Sequence, residues 1–183
     1  MNIALETNRL FLKPLAFSEL DDLFALRSDP DVMKYIGVTK TKEEVEDFIQ
    51  CGLAVEPGVS YYKKYGMDFF SVFEKKTGQF IGQAGLFHVR FNMTCPDIEL
   101  AYRLHKAYWG HGYATELAKA LIHYGFKNLS LPKIIATVHP DNVPSKRVVE
   151  KAGMTYVGEI ENKDFKDVPF CLYQIFPDSL NKA

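Results

Sequence analysis

The run RLHKAYWGHGYATELAKAL, Arg103 to Leu121, places Gly110 and Gly112 directly before an amphipathic stretch. From Ala114 onward the apolar residues Ala114, Leu117, Ala118, Leu121 and Ile122 follow the i, i+3, i+4, i+7, i+8 spacing of a one-sided helix. Upstream, DIELAYRL (Asp97 to Leu104) alternates as a strand, with Ile98, Leu100, Tyr102 and Leu104 on one face. The glycines therefore fall in a strand-to-helix connection that needs positive φ or a close backbone approach.

Around this unit the chain reads as strand, helices, hairpin, strand, helix, strand, helix and two strands. Arg9 to Leu15 is the first strand. SELDDLFALRSD follows as a helix with Ser18 at its N-cap, and TKEEVEDFIQCGL as a second with a Thr41/Glu44 capping box. Two aromatic and β-branched runs flank KKTG as a hairpin. KIIATV (Lys133 to Val138) is a short buried strand, and NVPSKRVVEKAG a helix with Pro144 in its first turn and Gly153 at its stop. MTYVGEIE and PFCLYQIF close the chain as strands. This order predicts a mixed α/β (α+β) sheet flanked by helices, not the regular βαβ alternation of a dinucleotide fold.

The length of 183 residues suits one domain, with a core from about residue 6 to 176 and no linker dividing it. A net charge of −1 implies no broad polyanion-binding face, and no nucleic-acid partner is expected. Cys51, Cys95 and Cys171 match neither a metal ligand set nor a disulfide framework, which points to a reducing compartment and no metal. MNIALETNRL lacks an apolar signal core, and no run reaches the length of a membrane span, so a cytoplasmic protein is expected.

A glycine turn at a helix N-terminus suits an anion, with phosphate the natural candidate. A P-loop would need Lys then Ser/Thr after the second glycine, and GHGYATE has no such Lys. A dinucleotide fingerprint would need Gly or Ala where Thr115 stands. WGHGYA instead resembles the coenzyme A pyrophosphate loop of the GCN5-related N-acetyltransferases (GNAT), Gln/Arg-x-x-Gly-x-Gly/Ala. It matches at Gly112 and Ala114, with Trp109 where Gln or Arg is usual. ETNRLFLKPL, DPDVMKYIG and NVPSKRVVEKAGM match in the same order, and the likeness runs from Glu6 to Phe176. The Trp variant is similar to the RimJ/RimL-like ribosomal-protein-alanine acetyltransferases.

The resemblance implies the GNAT fold, with a mostly antiparallel sheet and splayed central strands. It also implies acetyl-CoA as co-substrate, a primary amine as acceptor, and direct attack without an acyl-enzyme. N–H groups from Trp109, Gly110, His111, Gly112, Tyr113, Ala114 and Thr115 would cradle the pyrophosphate. The backbone near Tyr102 and Leu104 would pair with the pantetheine arm, and Asn142 would both cap its helix and bond that arm. Ser145 would protonate the leaving thiolate, and Glu99 would be the base. Alternation sets Glu99 opposite Ile98 and Leu100, so a strand bulge is one way to re-aim it, and Asp97, His139 or water compete for its role.

Each residue also has a plainer reading. Trp109 is an apolar wedge under the loop, Ser145 a first-turn serine, Glu99 an exposed strand carboxylate. Lys106, Lys146 and Arg147 either approach the phosphates or are ordinary surface charge. SYYKKYG reads as a loop bordering the acceptor pocket, with DPDVMKYIG beside it and Tyr35, Phe87, Phe91 and Phe170 as aromatic walls. A protein N-terminal α-amine is the first acceptor expected. A small-molecule amine, or a non-catalytic acyl-CoA sensor, are the alternatives.

Overall fold

The computed structural model describes residues 3–54, 56–57, 59–89, 97–162, 165 and 168–182; Phe91 and Cys95 lie outside them. Eight strands form one sheet in the order β1-β2-β3-β4-β5-β6-β8-β7. They are β1 (Leu5–Glu6), β2 (Leu10–Pro14), β3 (Phe69–Glu74), β4 (Phe80–His88), β5 (Ile98–Leu104), β6 (Ile134–Val138), β7 (Thr155–Ile160) and β8 (Phe170–Ile175). The helices are α1 (Leu20–Ser28), α2 (Pro30–Met33), α3 (Lys42–Leu53), α4 (Tyr61–Tyr65), α5 (Tyr113–Lys127) and α6 (Val143–Lys151). Every strand pairing is antiparallel except β5 with β6, as the predicted mixed, mostly antiparallel sheet requires.

That exception creates the splay. β5 and β6 are in register only at Ile98↔Ile134 and Glu99↔Ile135. Beyond Glu99 the β5 edge leaves β6, while its other edge stays paired to β4 from His88↔Ile98 to Gly82↔Leu104. A parallel pair opened this way leaves backbone N–H and C=O groups facing a gap.

Both faces of the sheet are covered. Leu117, Ala118, Leu121 and Ile122 of α5 are fully buried, and a side chain at Gly125 would collide with Ile134 and Leu86 on the sheet. On the opposite face, Arg27 of α1 bonds Gln83 of β4, and Phe48 of α3 meets Phe69 of β3 edge-on at 5.8 Å. The Thr41/Glu44 capping box of α3 is present.

Three local expectations are corrected. Ser18 is not an N-cap: a 3-10 turn, Phe17–Glu19, runs into α1, and the Ser18 hydroxyl donates to Glu19 Oε1 instead. SYYKKYG is not a pocket loop. Ser60 Oγ accepts from Lys63 N–H and Gly66 stops the turn at φ 69°, so these residues form α4, whose Tyr61 packs on His88 away from the cleft. The sequence DPDVM coils as α2 because Asp29 accepts from Asp31 N–H ahead of Pro30.

Candidate active site

Gly110 and Gly112 have φ of 80° and 79°, so of the two needs read for the connection, positive φ or a close backbone approach, the first is met. Gly112 is the N-cap of α5, and the first helical bond runs from Glu116 N–H to Gly112 O at 3.1 Å. The N–H groups of Tyr113, Ala114 and Thr115 thus have no acceptor among the described residues. Their positive ends face a cleft of about 1170 Å³ that follows the β5–β6 splay.

The loop is fixed from behind by residues far away in sequence. Arg9 Nε donates to Glu116 Oε2 at 2.7 Å, its Nη1 to the His111 carbonyl at 2.9 Å, and its guanidinium lies over the Tyr113 ring. Thr7 Oγ1 and Arg9 N–H both donate to Glu116 Oε1. Burial alone would raise Glu116, but these bonds outweigh it and hold the carboxyl below its ordinary value. With the His111 carbonyl turned toward Arg9, the loop is left to present N–H groups to the cleft. Sequence reading missed Arg9 and Glu116. Their signal lay in the NRL segment and in an acidic residue in the first turn of α5.

Tyr102, Leu104, Trp109, Gly110, Gly112, Tyr113, Ala114, Thr115 and Asn142 line the cleft; the exposed His111 does not. Trp109 is no buried wedge, being 45% exposed. Its indole N–H donates to the Leu104 carbonyl at 2.8 Å, tying the end of β5 to the loop. Asn142 caps α6 through Oδ1, which accepts from Ser145 N–H at 3.2 Å. Lys106 pairs with Asp31, and Lys146 donates to the Pro140 carbonyl, while exposed Arg147 lines the cleft.

Glu99 and Ser145 stand on opposite faces of the sheet but both line the cleft. Alternation on an unbulged β5 is enough to aim Glu99, since its pairing with β4 shows no register shift. Thr137 Oγ1 on β6 donates to Glu99 Oε1 at 2.5 Å. Asp97 is instead paired with Lys133 at 2.7 Å. His139 is buried against Tyr35 and Phe170, and its Nδ1 accepts from Asp141 N–H at 3.1 Å. That bond assigns the ring proton to Nε2, leaving no lone pair free for a base.

Ser145 Oγ lies 2.8 Å from the Tyr102 hydroxyl, a partner that sequence reading did not anticipate. Burial pushes Tyr102 up to about 12, with the Ser145 bond opposing, so the phenol keeps its proton. Tyr35, Phe87 and Phe170 line the cleft as expected. Neither Cys51 nor Cys171 does. Among the described residues no group of three or more His, Cys, Asp or Glu is placed to hold a metal, and no helix is long and apolar enough to cross a membrane.

Comparison with known proteins agrees with this geometry. The family described as acetyltransferase (GNAT) domain matches residues 9–155. The Bacillus subtilis protein YkkB is 34% identical over 154 residues, covering 83% of this chain and 85% of the relative. The uncharacterized N-acetyltransferase p20 of Bacillus licheniformis is 31% identical over 185 residues, covering 97% and 96%. The crystal structure of a GNAT-family acetyltransferase from Bacillus anthracis superposes with a TM-score of 0.78 at 29% identity, covering 95% of this chain and 98% of that one. The chain belongs to the GNAT acetyltransferase family. It is an acetyl-CoA-dependent acyltransferase.

Proposed function

We propose that the chain is one GNAT domain that acetylates a primary amine, first of all a protein N-terminal α-amine, in the manner of the RimJ/RimL-like branch. One observation carries the site: a positive-φ glycine loop at the start of α5 opens onto the unpaired edge of β5, with Glu99 and Ser145 in the same cleft. The N–H groups of Tyr113, Ala114 and Thr115 bind the pyrophosphate. The free β5 edge near Tyr102 and Leu104 pairs with the pantetheine arm, and Asn142 bonds it from the start of α6.

Bound acetyl-CoA supplies an acyl thioester whose carbonyl the splayed backbone polarises. Glu99, aimed by Thr137, takes the proton of the attacking amine, directly or through a water. Ser145 Oγ, held by a hydrogen bond from the Tyr102 phenol, donates its proton to the leaving sulfur and regains one from solvent, while Tyr102 keeps its own. A free thiol has a pKa of about 8.5, so this acid helps but is not indispensable.

A carboxylate base favours an amine that is easy to deprotonate. At pH 7 an α-amine costs about 1 kcal/mol and a Lys side chain about 4.6 kcal/mol. Peptides with a free N-terminus therefore outperform the same peptides blocked there but carrying Lys. Mass spectrometry of the products locates the modified nitrogen; acetylation of Lys side chains alone, or of small amines alone, overturns the N-terminal reading. Binding of acetyl-CoA with no acetylation of any amine would favour a sensor.

A further inference from the structure

We propose that Arg27 and Arg103 form a subsite for an anionic group, a carboxylate or phosphate, carried by the amine acceptor; this rests on the N-terminal amine reading above. Arg103 shares a face of β5 with Glu99, four residues away, or about 13 Å along the strand. Only Ala101 stands between them on that face. Arg27 reaches the same place from α1: its Nε and Nη2 donate to Gln83 Oε1 at 3.3 and 3.0 Å, and Gln83 is the register partner of Arg103. Both arginines line the cleft.

Neither guanidinium has a counter-charge among the described residues. Arg27 is 7% exposed and lies over the Phe48 ring at 3.7 Å. Arg103 lies over Phe69 at 5.3 Å, and its Nη1 meets only the Met33 sulfur, at 3.9 Å. Arg103 Nε and Gln83 Nε2 are buried donors without an acceptor. Asp31, a carboxylate on the same side of the cleft, is engaged by Lys106 at 2.5 Å.

Burial, and then the charge of Arg103, pull Arg27 down to about 8, and burial alone pulls Arg103 down to about 10. Two neighbouring cations, Arg27 buried and Arg103 half-buried with its Nε shut away from solvent, are costly unless an anion joins them. Guanidinium forks suit carboxylate and phosphate geometry, so one bound anion satisfies both. The cleft is thus polarised: Glu99 at one end for the amine, Phe69 and Phe87 along it, and the arginines at the other. The carboxylate of an α-amino acid lies too near its own amine to span that length. An acidic side chain on the second or third residue of a peptide fits, at about 3.3 Å per residue.

The test compares free-N-terminus peptides carrying Asp or Asn at positions two and three, alongside 6-aminohexanoate against hexylamine. Wild type should show a KM roughly 10–100-fold lower for the Asp peptide, the range of a charge-assisted bond. In Arg103→Met and Arg27→Met the Asp-over-Asn ratio should fall toward one. Removing an unpaired, half-buried charge should leave the melting temperature of Arg103→Met unchanged or higher, whereas a purely structural arginine gives a lower melting temperature and an unchanged ratio. If peptides are not acetylated but 6-aminohexanoate outperforms hexylamine in an Arg103-dependent way, the subsite stands and the N-terminal reading falls. Thermal-shift titration of the same two amines with coenzyme A present makes the comparison without turnover. Equal treatment of charged and neutral members in both pairs overturns the proposal.

Discussion

The Tyr102 hydroxyl stands 2.8 Å from Ser145 Oγ, joining the open edge of β5 to the first turn of α6 across the cleft. Either oxygen can be the donor in that pair, but only a tyrosine donating to serine leaves the serine proton free for a departing thiolate. Ser145→Ala should lower kcat tenfold or more, toward the roughly 10²–10⁴-fold range of general acid–base groups. Tyr102→Phe should lower it by roughly 2–10-fold, the worth of one hydrogen bond, with acetyl-CoA affinity kept within a few-fold. Steady-state rates with a Kd measured alongside check both. Loss of affinity with kcat intact would make the pair a structural clasp.

Glu99→Gln should reduce kcat tenfold or more. Thr137→Val, which removes the donor that aims the carboxylate, should do so by a few-fold. His139→Gln should leave catalysis far less affected, because its Nδ1 already accepts from Asp141 N–H. A larger loss at His139 than at Glu99 would reverse the assignment of the base.

The NRL segment and α5 are coupled through Glu116, which receives Thr7 and both the backbone and side chain of Arg9. Arg9→Gln releases the His111 carbonyl and should weaken acetyl-CoA by roughly tenfold through a less ordered loop, as loss of a charge-assisted bond does. The Kd from titration calorimetry reads this, and an unchanged Kd would contradict it.

Asp68, directly before β3, is buried, and burial raises its carboxyl to about 7 even though Phe69 N–H donates to it. Between its unfolded value, about 3.9, and its folded value, the native protein holds a proton that the unfolded chain releases. Stability therefore falls as pH rises through that window and levels off above it. Asp68→Asn should stabilise the fold by roughly 2–4 kcal/mol at pH 8, since each pH unit between the two values is worth about 1.4 kcal/mol, and by little at pH 4. Denaturant unfolding at the two pH values checks the sign.

Local patterns were legible because their causes are local. Alternation gave β5, the 3.6-residue period gave the buried face of α5, and side-chain caps gave α3 and α6. The positive φ of Gly110 and Gly112 followed from their place between strand and helix. What was missed depends on chain segments meeting in space. Arg9 finds Glu116 across 107 residues, Tyr102 finds Ser145 across 43, and Arg27 meets the Gln83–Arg103 row only once α1 lies on the sheet. The misread α4 fails differently: aromatic and lysine residues suggested a pocket rim, while Ser60 and Gly66 already marked a helix start and stop. Trp109 was read by size, yet its indole N–H decides its place.

The proposed site rests above all on the glycine loop seating acetyl-CoA. Gly112 is the position to test, because a β-branched residue is strained at φ 79° although an added Cβ would meet only Arg9 Nη2, at an ordinary 3.6 Å. Titration of acetyl-CoA into wild type and Gly112→Val, each first shown to unfold cooperatively, is the direct measurement. At about 100 times its Kd the ligand should add roughly 2.7 kcal/mol to wild-type stability, a melting shift of about 5–11 °C, and the variant should lose the shift. Equal binding by both proteins, or a wild type stabilised by NAD or ATP but not by acetyl-CoA, would contradict the account.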